Sequence, residues 1–325
     1  MFNLPKLQDL DLKEKKVLIR MDLDITPEEI FRLESALPTL EYLRDQNSKI
    51  VLIGHKGRPE GKKVPELSLR PISRALEKLL TEKWGNKAMQ TLDINMMENL
   101  RFDSGEEDND LDYARRLAQN GEVYINEAFA SSHRKHASIV SLPKLLPHAA
   151  GIRFVKEVEN LSRVFENPKR PLVVILSGVK KDKLDYLNPF RKIADKILVA
   201  GRLPEYLDED FQDPKVIVAN LLPDKEDITI HSIEEFESEI TKAKTIVVGG
   251  LIGRFEDEGH RLGTQRVFEA VAKSDAFKVA GGGETEKAIE MLKLKEKFDW
   301  ISIGGGAMLE FLAKKTLPGI EALVG

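Results

Sequence analysis

The 325-residue sequence contains no cysteine, which excludes disulfides, thiolate metal sites and a cysteine nucleophile together. No stretch approaches the ~20 consecutive apolar residues of a membrane span. The opening residues, MFNLPKLQDLDLKEKK, hold no apolar signal core, so a cytoplasmic location is expected. Charge of one sign is not in excess: 50 Lys and Arg against 54 Asp and Glu leave a formal net charge of −4. Neither nucleic acid nor a membrane surface is therefore expected as a partner. Solenoid repeats, low-complexity tracts and a Walker-type phosphate loop are also missing. No Gly-x-Gly-x-x-Gly opens an early strand–helix unit, which argues against a nicotinamide dehydrogenase. What remains is an ordinary globular composition, 42% hydrophobic and 32% charged. The chain is long enough for two domains, since single cores usually stop growing at ~250–300 residues.

Two glycine turns stand out near the C-terminus. Phe277, Lys278, Val279 and Ala280 lead into Gly281, Gly282, Gly283, Glu284 and Thr285, and Trp300, Ile301, Ser302 and Ile303 lead into Gly304, Gly305 and Gly306. Helical spacing follows each, through Ala288, Met291 and Leu292 and through Leu309, Phe311 and Leu312. Without a Cβ the backbone can turn sharply and approach a ligand closely. The helix start that follows offers free N–H groups and a positive dipole end, which suit a phosphate or carboxylate. The plainer alternative is a pair of tight strand-to-helix turns in an α/β sheet.

Upstream, apolar runs alternate with helical spacing. Val17, Leu18, Ile19, Arg20 and Met21 read as a buried strand ending in Asp22, Leu23 and Asp24. Leu33, Leu37, Leu40 and Leu43 fit one helical face, which Pro38 should weaken or kink. A second strand over residues 49–53 ends in Gly54, His55, Lys56, Gly57, Arg58 and Pro59. Helical spacing resumes at Ile72, Leu76, Leu79 and Leu80, and further strands are predicted over 95–100, ending at Arg101, and over 123–125. Such alternation implies crossover connections and a mostly parallel sheet. Asp22, Asp24, His55, Arg58, Arg101, His133 and Arg134 all follow strands, where an open parallel sheet binds its ligands. They predict one basic, anion-binding rim.

Pro143 and Pro147 punctuate the chain before a long helix over residues 154–165. A second strand series follows, at 172–176, 196–199, 216–219 and 246–248 and at the two glycine turns. The fold expected is α/β: two Rossmann-like three-layer parallel-sheet domains joined by that helix, with a cleft between them. The boundaries are 1–150, 151–168 for the helix, 169–305, and a tail at 306–325 returning to the first domain. Ser177, Gly178, Val179, Lys180, Lys181, Asp182 and Lys183 leave a strand with lysines close together, and residues 248–256 form another glycine-rich exit. A basic rim facing a glycine-rich one suits phosphoryl transfer, where catalysis is mostly positioning and charge neutralisation.

These stretches together resemble the phosphoglycerate kinase family along nearly the whole chain. Residues 17–24 resemble its strand and substrate loop, 31–40 its arginine-led helix start, and 54–59 its His-x-Gly-Arg-Pro loop. Residues 98–102 read Glu-Asn-Leu-Arg-Phe, 126–138 are similar to its Asn-Asp-Ala-Phe…His-Arg-x-His segment, and 245–256, 281–285 and 301–312 follow in the family's order. The resemblance implies Mg2+-dependent exchange of phosphate between ATP and the carboxylate of 3-phosphoglycerate, in glycolysis. It maps substrate binding onto Asp22, Asp24, Arg32, His55, Arg58, Arg101 and Arg134. It maps nucleotide binding onto Lys180, Lys183, Gly250, Glu256, Gly281, Gly282, Glu284 and Thr285. Arg32 and Lys180 would neutralise the transferring phosphoryl group, with Gly282 and Gly305 beside it, and Glu256 would bind ribose. Glu284 would take the place of a Mg2+-ligating aspartate. No general base is needed, because the attacking carboxylate is already ionised near neutral pH. A monomer acting on small molecules is expected.

The sequence departs from the family at named positions. Asp24 replaces an asparagine, Glu127 an aspartate, Ala130 a glycine and Ser131 a threonine. Lys180 and Lys183 stand three apart where the family has four; on a helix start either spacing keeps one face, but at ~100° per residue the slip redirects one side chain. Between Gly201 and Ile246 the chain lacks much of the material that would wall an adenosine pocket. Two alternatives stay open: a kinase-fold protein that binds a phosphorylated three-carbon acid with weak or no transfer, and an enzyme with an altered phosphoryl donor.

Overall fold

The computed structural model describes residues 2–325 and divides into two compact units, Met1–Glu159 with Thr316–Gly325, and Asn160–Lys315. Each is an α/β unit built on one parallel sheet.

In the first unit, the strands are β1 (Lys16–Arg20), β2 (Lys49–Ile53), β3 (Ile94–Met96), β4 (Val123–Asn126) and β5 (His148–Ala150), ordered β3-β2-β1-β4-β5. Between them run α1 (Phe31–Ser35), α2 (Leu37–Asp45), α3 (Arg70–Thr91) and α4 (Leu111–Ala118). Period-two alternation decides what each face of β1 meets. Val17 and Ile19 pack with Leu40, Leu43, Ile72 and Leu76 of α2 and α3. Leu18 and Arg20 therefore point to the other face, where both are fully buried.

Two expectations change in detail. The helical face around Leu33 to Leu43 is two helices, parted at Ala36, with Pro38 in the first turn of the second. Proline has no N–H to give to a preceding turn, so it starts a helix more easily than it continues one. The strand expected over 95–100 is only Ile94–Met96. Beyond it the Asn99 side chain accepts from the N–H groups of Lys56 and Arg101 and donates to the carbonyls of Lys56 and Leu67. A side-chain amide thus replaces ladder bonds, and the chain leaves the sheet as the turn Leu100–Phe102.

The helix α5 (Ile152–Glu166) carries the chain across the division between the units. Its free first-turn donors are satisfied by side chains of the first unit. The Ile152 N–H donates to Thr39 Oγ1 (2.8 Å), and those of Arg153 and Phe154 donate to Glu127 (3.2 and 3.0 Å).

In the second unit, the strands are β6 (Leu172–Leu176), β7 (Lys196–Val199), β8 (Val216–Val218), β9 (Thr245–Val248), β10 (Phe277–Gly281) and β11 (Trp300–Ser302), ordered β11-β10-β9-β6-β7-β8. The helices are α6 (Leu187–Ile193), α7 (Ile230–Lys242), α8 (Leu262–Lys273), α9 (Gly283–Met291) and α10 (Gly305–Lys314). Continuous apolar runs such as β6, buried at every residue, are what a parallel sheet covered on both faces requires. The last helix, α11 (Pro318–Val324), belongs to the first unit, where the Gly319 N–H donates to the Ser132 carbonyl.

Candidate active site

All strands of the first sheet run parallel, so the segments leaving β1, β2, β3 and β4 emerge at one edge. The predicted rim residues sit on those segments, and Asp22, Asp24 and Arg101 bond to one another's loops. Asp22 accepts from the Ala130 N–H and the Ser131 hydroxyl, latching the β1 exit to the β4 exit. Asp24 Oδ1 accepts from the Gly57 N–H (2.9 Å), and its carbonyl accepts from Arg32 Nη1 (2.8 Å). Arg58 is exposed on the same β2 loop.

Arg101 is 1% exposed, with Nη1 donating to the Gly57 carbonyl at 2.6 Å and Nε lying 3.3 Å from Glu107. Its Nη2 is buried and meets no hydrogen-bond acceptor among the described residues. Leaving a buried donor unpaired costs about 1–3 kcal/mol, and an incoming anion would remove that cost. His55 and His136 lie edge to face, 6.4 Å apart, in the same place. Burial, then the charges of Arg20, Arg101 and Arg134, lowers the His55 pKa well below its usual value. The same causes bring His136 to about 3. Both imidazoles are neutral at neutral pH, in a field set mainly by three arginines. The arrangement draws His55, Arg101 and Arg134 together, as the rim pattern predicts.

Sequence reasoning missed the residues beneath that rim. Arg20, Glu106 and Ser138 are 0% exposed and hydrogen-bonded in series, and His136 Nδ1 lies 3.8 Å from Glu106. The signal in the sequence was an arginine placed inside an otherwise apolar strand.

The second unit brings its glycine turns together. A Cβ on Gly305 would come within 3.0 Å of the Gly281 carbonyl oxygen and the Gly282 Cα, and Gly282 itself has φ +110°. The two turns therefore touch backbone to backbone, which any larger residue at Gly305 would prevent. Thr285 is buried in the first turn of α9, while Glu284 is exposed there. Lys183 Nζ donates to the carbonyls of Ser177 (2.6 Å) and Gly249 (2.8 Å). Burial lowers its pKa, against the opposing fields of Glu284 and Asp182. Gly250 is needed beside it: a Cβ there would lie 2.1 Å from the Ser177 oxygen and 2.9 Å from Lys183 Nζ.

The lysine pair does not share a face. Lys180 has extended backbone before the 3-10 turn Lys181–Tyr186 and is exposed, whereas Lys183 turns inward. Helical spacing does not apply to a residue outside the helix. Glu256 is exposed in the loop after β9. That loop is tied to the short segment between β8 and α7: the Arg254 N–H donates to the Glu226 carbonyl, and His260 bridges Asp257 and Asp224 at 2.8 Å each.

Among the described residues, no group of three or more His, Asp or Glu could hold a metal by itself. Magnesium bound with nucleotide needs less, because it commonly takes one or two carboxylates plus phosphates and waters. A single exposed carboxylate, Glu284, near Lys183 and two glycine turns fits that donor set.

A family model described as phosphoglycerate kinase matches residues 7–209 and 208–315. The phosphoglycerate kinase of Finegoldia magna is 32% identical over 391 aligned positions, covering 99% of this chain and 99% of its own length. That of Moorella thermoacetica is 33% identical, with 98% of each covered. The 391 positions exceed the 325 residues here, so the relative carries segments this chain lacks. The structure of phosphoglycerate kinase from Coxiella burnetii is similar with TM-score 0.79 and 28% identity, covering 98% of each chain. The enzyme from Pyrococcus horikoshii OT3 is similar with TM-score 0.83 and 26% identity, covering 99% of this chain and 98% of its own.

Proposed function

The chain belongs to the phosphoglycerate kinase family, and from that premise we propose that it catalyses Mg2+-dependent phosphoryl transfer between 1,3-bisphosphoglycerate with ADP and 3-phosphoglycerate with ATP. The observation that carries this reading is the buried guanidinium of Arg101, its Nη2 unpaired, beside two neutral imidazoles and Arg134. Such a group favours a small dianion, and arginine can meet phosphate or carboxylate oxygens with two parallel bonds.

In this reading the first unit holds the acceptor. Arg101, Arg134, Arg58 and His55 bind its phosphate and carboxylate, while Asp22 and Asp24 keep the loops in place. Arg32, bonded to the Asp24 carbonyl, and Lys180 offset charge on the transferring group. The second unit holds the nucleotide. An ammonium has three donors; Lys183 gives two to backbone carbonyls and keeps one for a phosphate oxygen. The starts of α9 and α10 offer N–H groups to the phosphates, with Glu256 toward the ribose. Glu284 would hold Mg2+, which supplies charge neutralisation at the phosphate oxygens. The acceptor carboxylate needs no base, being ionised at neutral pH. The relatives reported above are all named as kinases, which gives no support to a binding protein that transfers nothing.

A coupled assay of ATP formation from 1,3-bisphosphoglycerate, ADP and Mg2+ tests the reading. Turnover far above that of an Arg32→Ala control is expected; turnover no higher than the control would refute it.

A further inference from the structure

The buried series beneath the rim has a fixed direction of donation. Glu106 is fully buried, and its two oxygens accept the Ser138 hydroxyl (2.6 Å) and the Ser138 N–H (3.0 Å). With its proton so committed, Ser138 Oγ is left as an acceptor, and Arg20 Nε donates to it at 2.9 Å. Arg20 Nη1 donates to the Met21 carbonyl, and Nη2 lies 2.6 Å from His55 Nδ1. A guanidinium has donors only, so His55 Nδ1 must offer its lone pair. The His55 ring then carries its proton on Nε2, which has no hydrogen-bond partner among the described residues.

We propose that Glu106 and Ser138 are positioning residues that, through Arg20, lock His55 as the neutral Nε2–H tautomer, so that it meets the acceptor's anionic group as an uncharged donor. The part played toward the acceptor rests on the kinase reading above; the tautomer does not. Arg20 comes from the last residue of β1, Ser138 from the segment after β4 and Glu106 from the turn before α4. The lock therefore joins three separate segments of the first unit to one ring. An imidazolium here would face Arg20, Arg101, Arg134 and His136. A neutral donor adds a directed hydrogen bond without that repulsion.

Long-range 1H–15N correlation of the His55 ring in full-length 15N-labelled protein, with no ligand present, tests the lock. The expected result is a protonated Nε2 and an unprotonated Nδ1 throughout pH 5–9. A protonated Nδ1, or a ring that titrates within that range, would overturn it. In Ser138→Ala and Glu106→Gln the ring should show both tautomers. The Kd for 3-phosphoglycerate should rise roughly tenfold while that for MgADP stays unchanged, which also shows that the variants are folded. Unaltered tautomer and affinity in both variants would refute the role of Glu106 and Ser138. If a variant does not fold, the wild-type spectrum still decides the tautomer and the other variant the relay. A wild-type Nε2–H ring in a protein that binds no 3-phosphoglycerate would leave the lock standing and refute the kinase reading instead.

Discussion

Thr39 Oγ1 donates a 2.6 Å hydrogen bond to Glu127, and the two side chains together satisfy the first three N–H groups of α5. One comes from α2 and the other from the residue after β4, so the helix that leaves the first unit is anchored to two separate elements of it.

Burial is the main cause that raises the Glu127 pKa to about 7, against the bonds from Thr39, Phe154 and Arg153 that favour the ionised form. Unfolded, the carboxyl ionises near the ordinary glutamate value of 4.5. The folded state therefore binds more protons between those values, and the stability contributed by this group falls as pH rises from 4.5 to 7. The loss is about 3 kcal/mol, with no further change from this group above that window. Urea unfolding across the window should show the slope, and Glu127→Gln should flatten it. An unchanged slope would contradict the assignment.

Arg101→Met removes the buried guanidinium that lacks an acceptor at Nη2. Loss of two charge-assisted bonds to a ligand predicts a Kd for 3-phosphoglycerate weaker by roughly 100-fold or more. Calorimetry with MgADP should give the wild-type affinity, because Arg101 lies in the first unit. Equal weakening for both ligands would point to general disruption.

Gly250→Ala and Gly283→Ala should behave oppositely. The first places a Cβ 2.1 Å from the Ser177 oxygen at a φ of +151°, predicting a loss of about 2 kcal/mol or more and displacement of Lys183. The second meets no atom within 4 Å, and alanine near a helix start gains up to about 1 kcal/mol. Thermal unfolding reads both effects. If the α9 start takes nucleotide phosphate, Gly283→Ala weakens MgADP binding despite its stability.

Glu284→Gln keeps the size and removes the charge from the exposed first turn of α9. The Mg2+ concentration giving half-maximal activity should rise by roughly tenfold, with the 3-phosphoglycerate KM unchanged. A Mg2+ titration showing no shift would exclude Glu284 as a ligand.

Much of this was legible in the chain itself. β6 is buried along its length, and β1 and β2 are buried at every residue after their first lysine, so they read as largely apolar runs, and their alternation with helical spacing is enough to imply parallel sheets. Once the strands are parallel, residues following them share an edge, which is why His55, Arg101 and Arg134 could be grouped from sequence alone. The backbone turns were legible too, because only glycine tolerates the approach of Gly305 to Gly282.

Directional contacts were not legible. Ser138 lies 118 residues from Arg20, and Glu106 lies 32 residues from Ser138; nothing in local spacing states that the far face of β1 will meet them. Nor could helical periodicity tell that Lys180 turns outward and Lys183 inward, since the turn after β6 is a 3-10 turn whose cap is extended. The sequence by itself determined the sheets, the shared rim and the glycine turns, because these follow from short-range periodicity and steric limits. Only the tertiary structure decided which donor faces which acceptor, and with it the proton on His55, because hydrogen bonds depend on positions and angles that distant segments assume together.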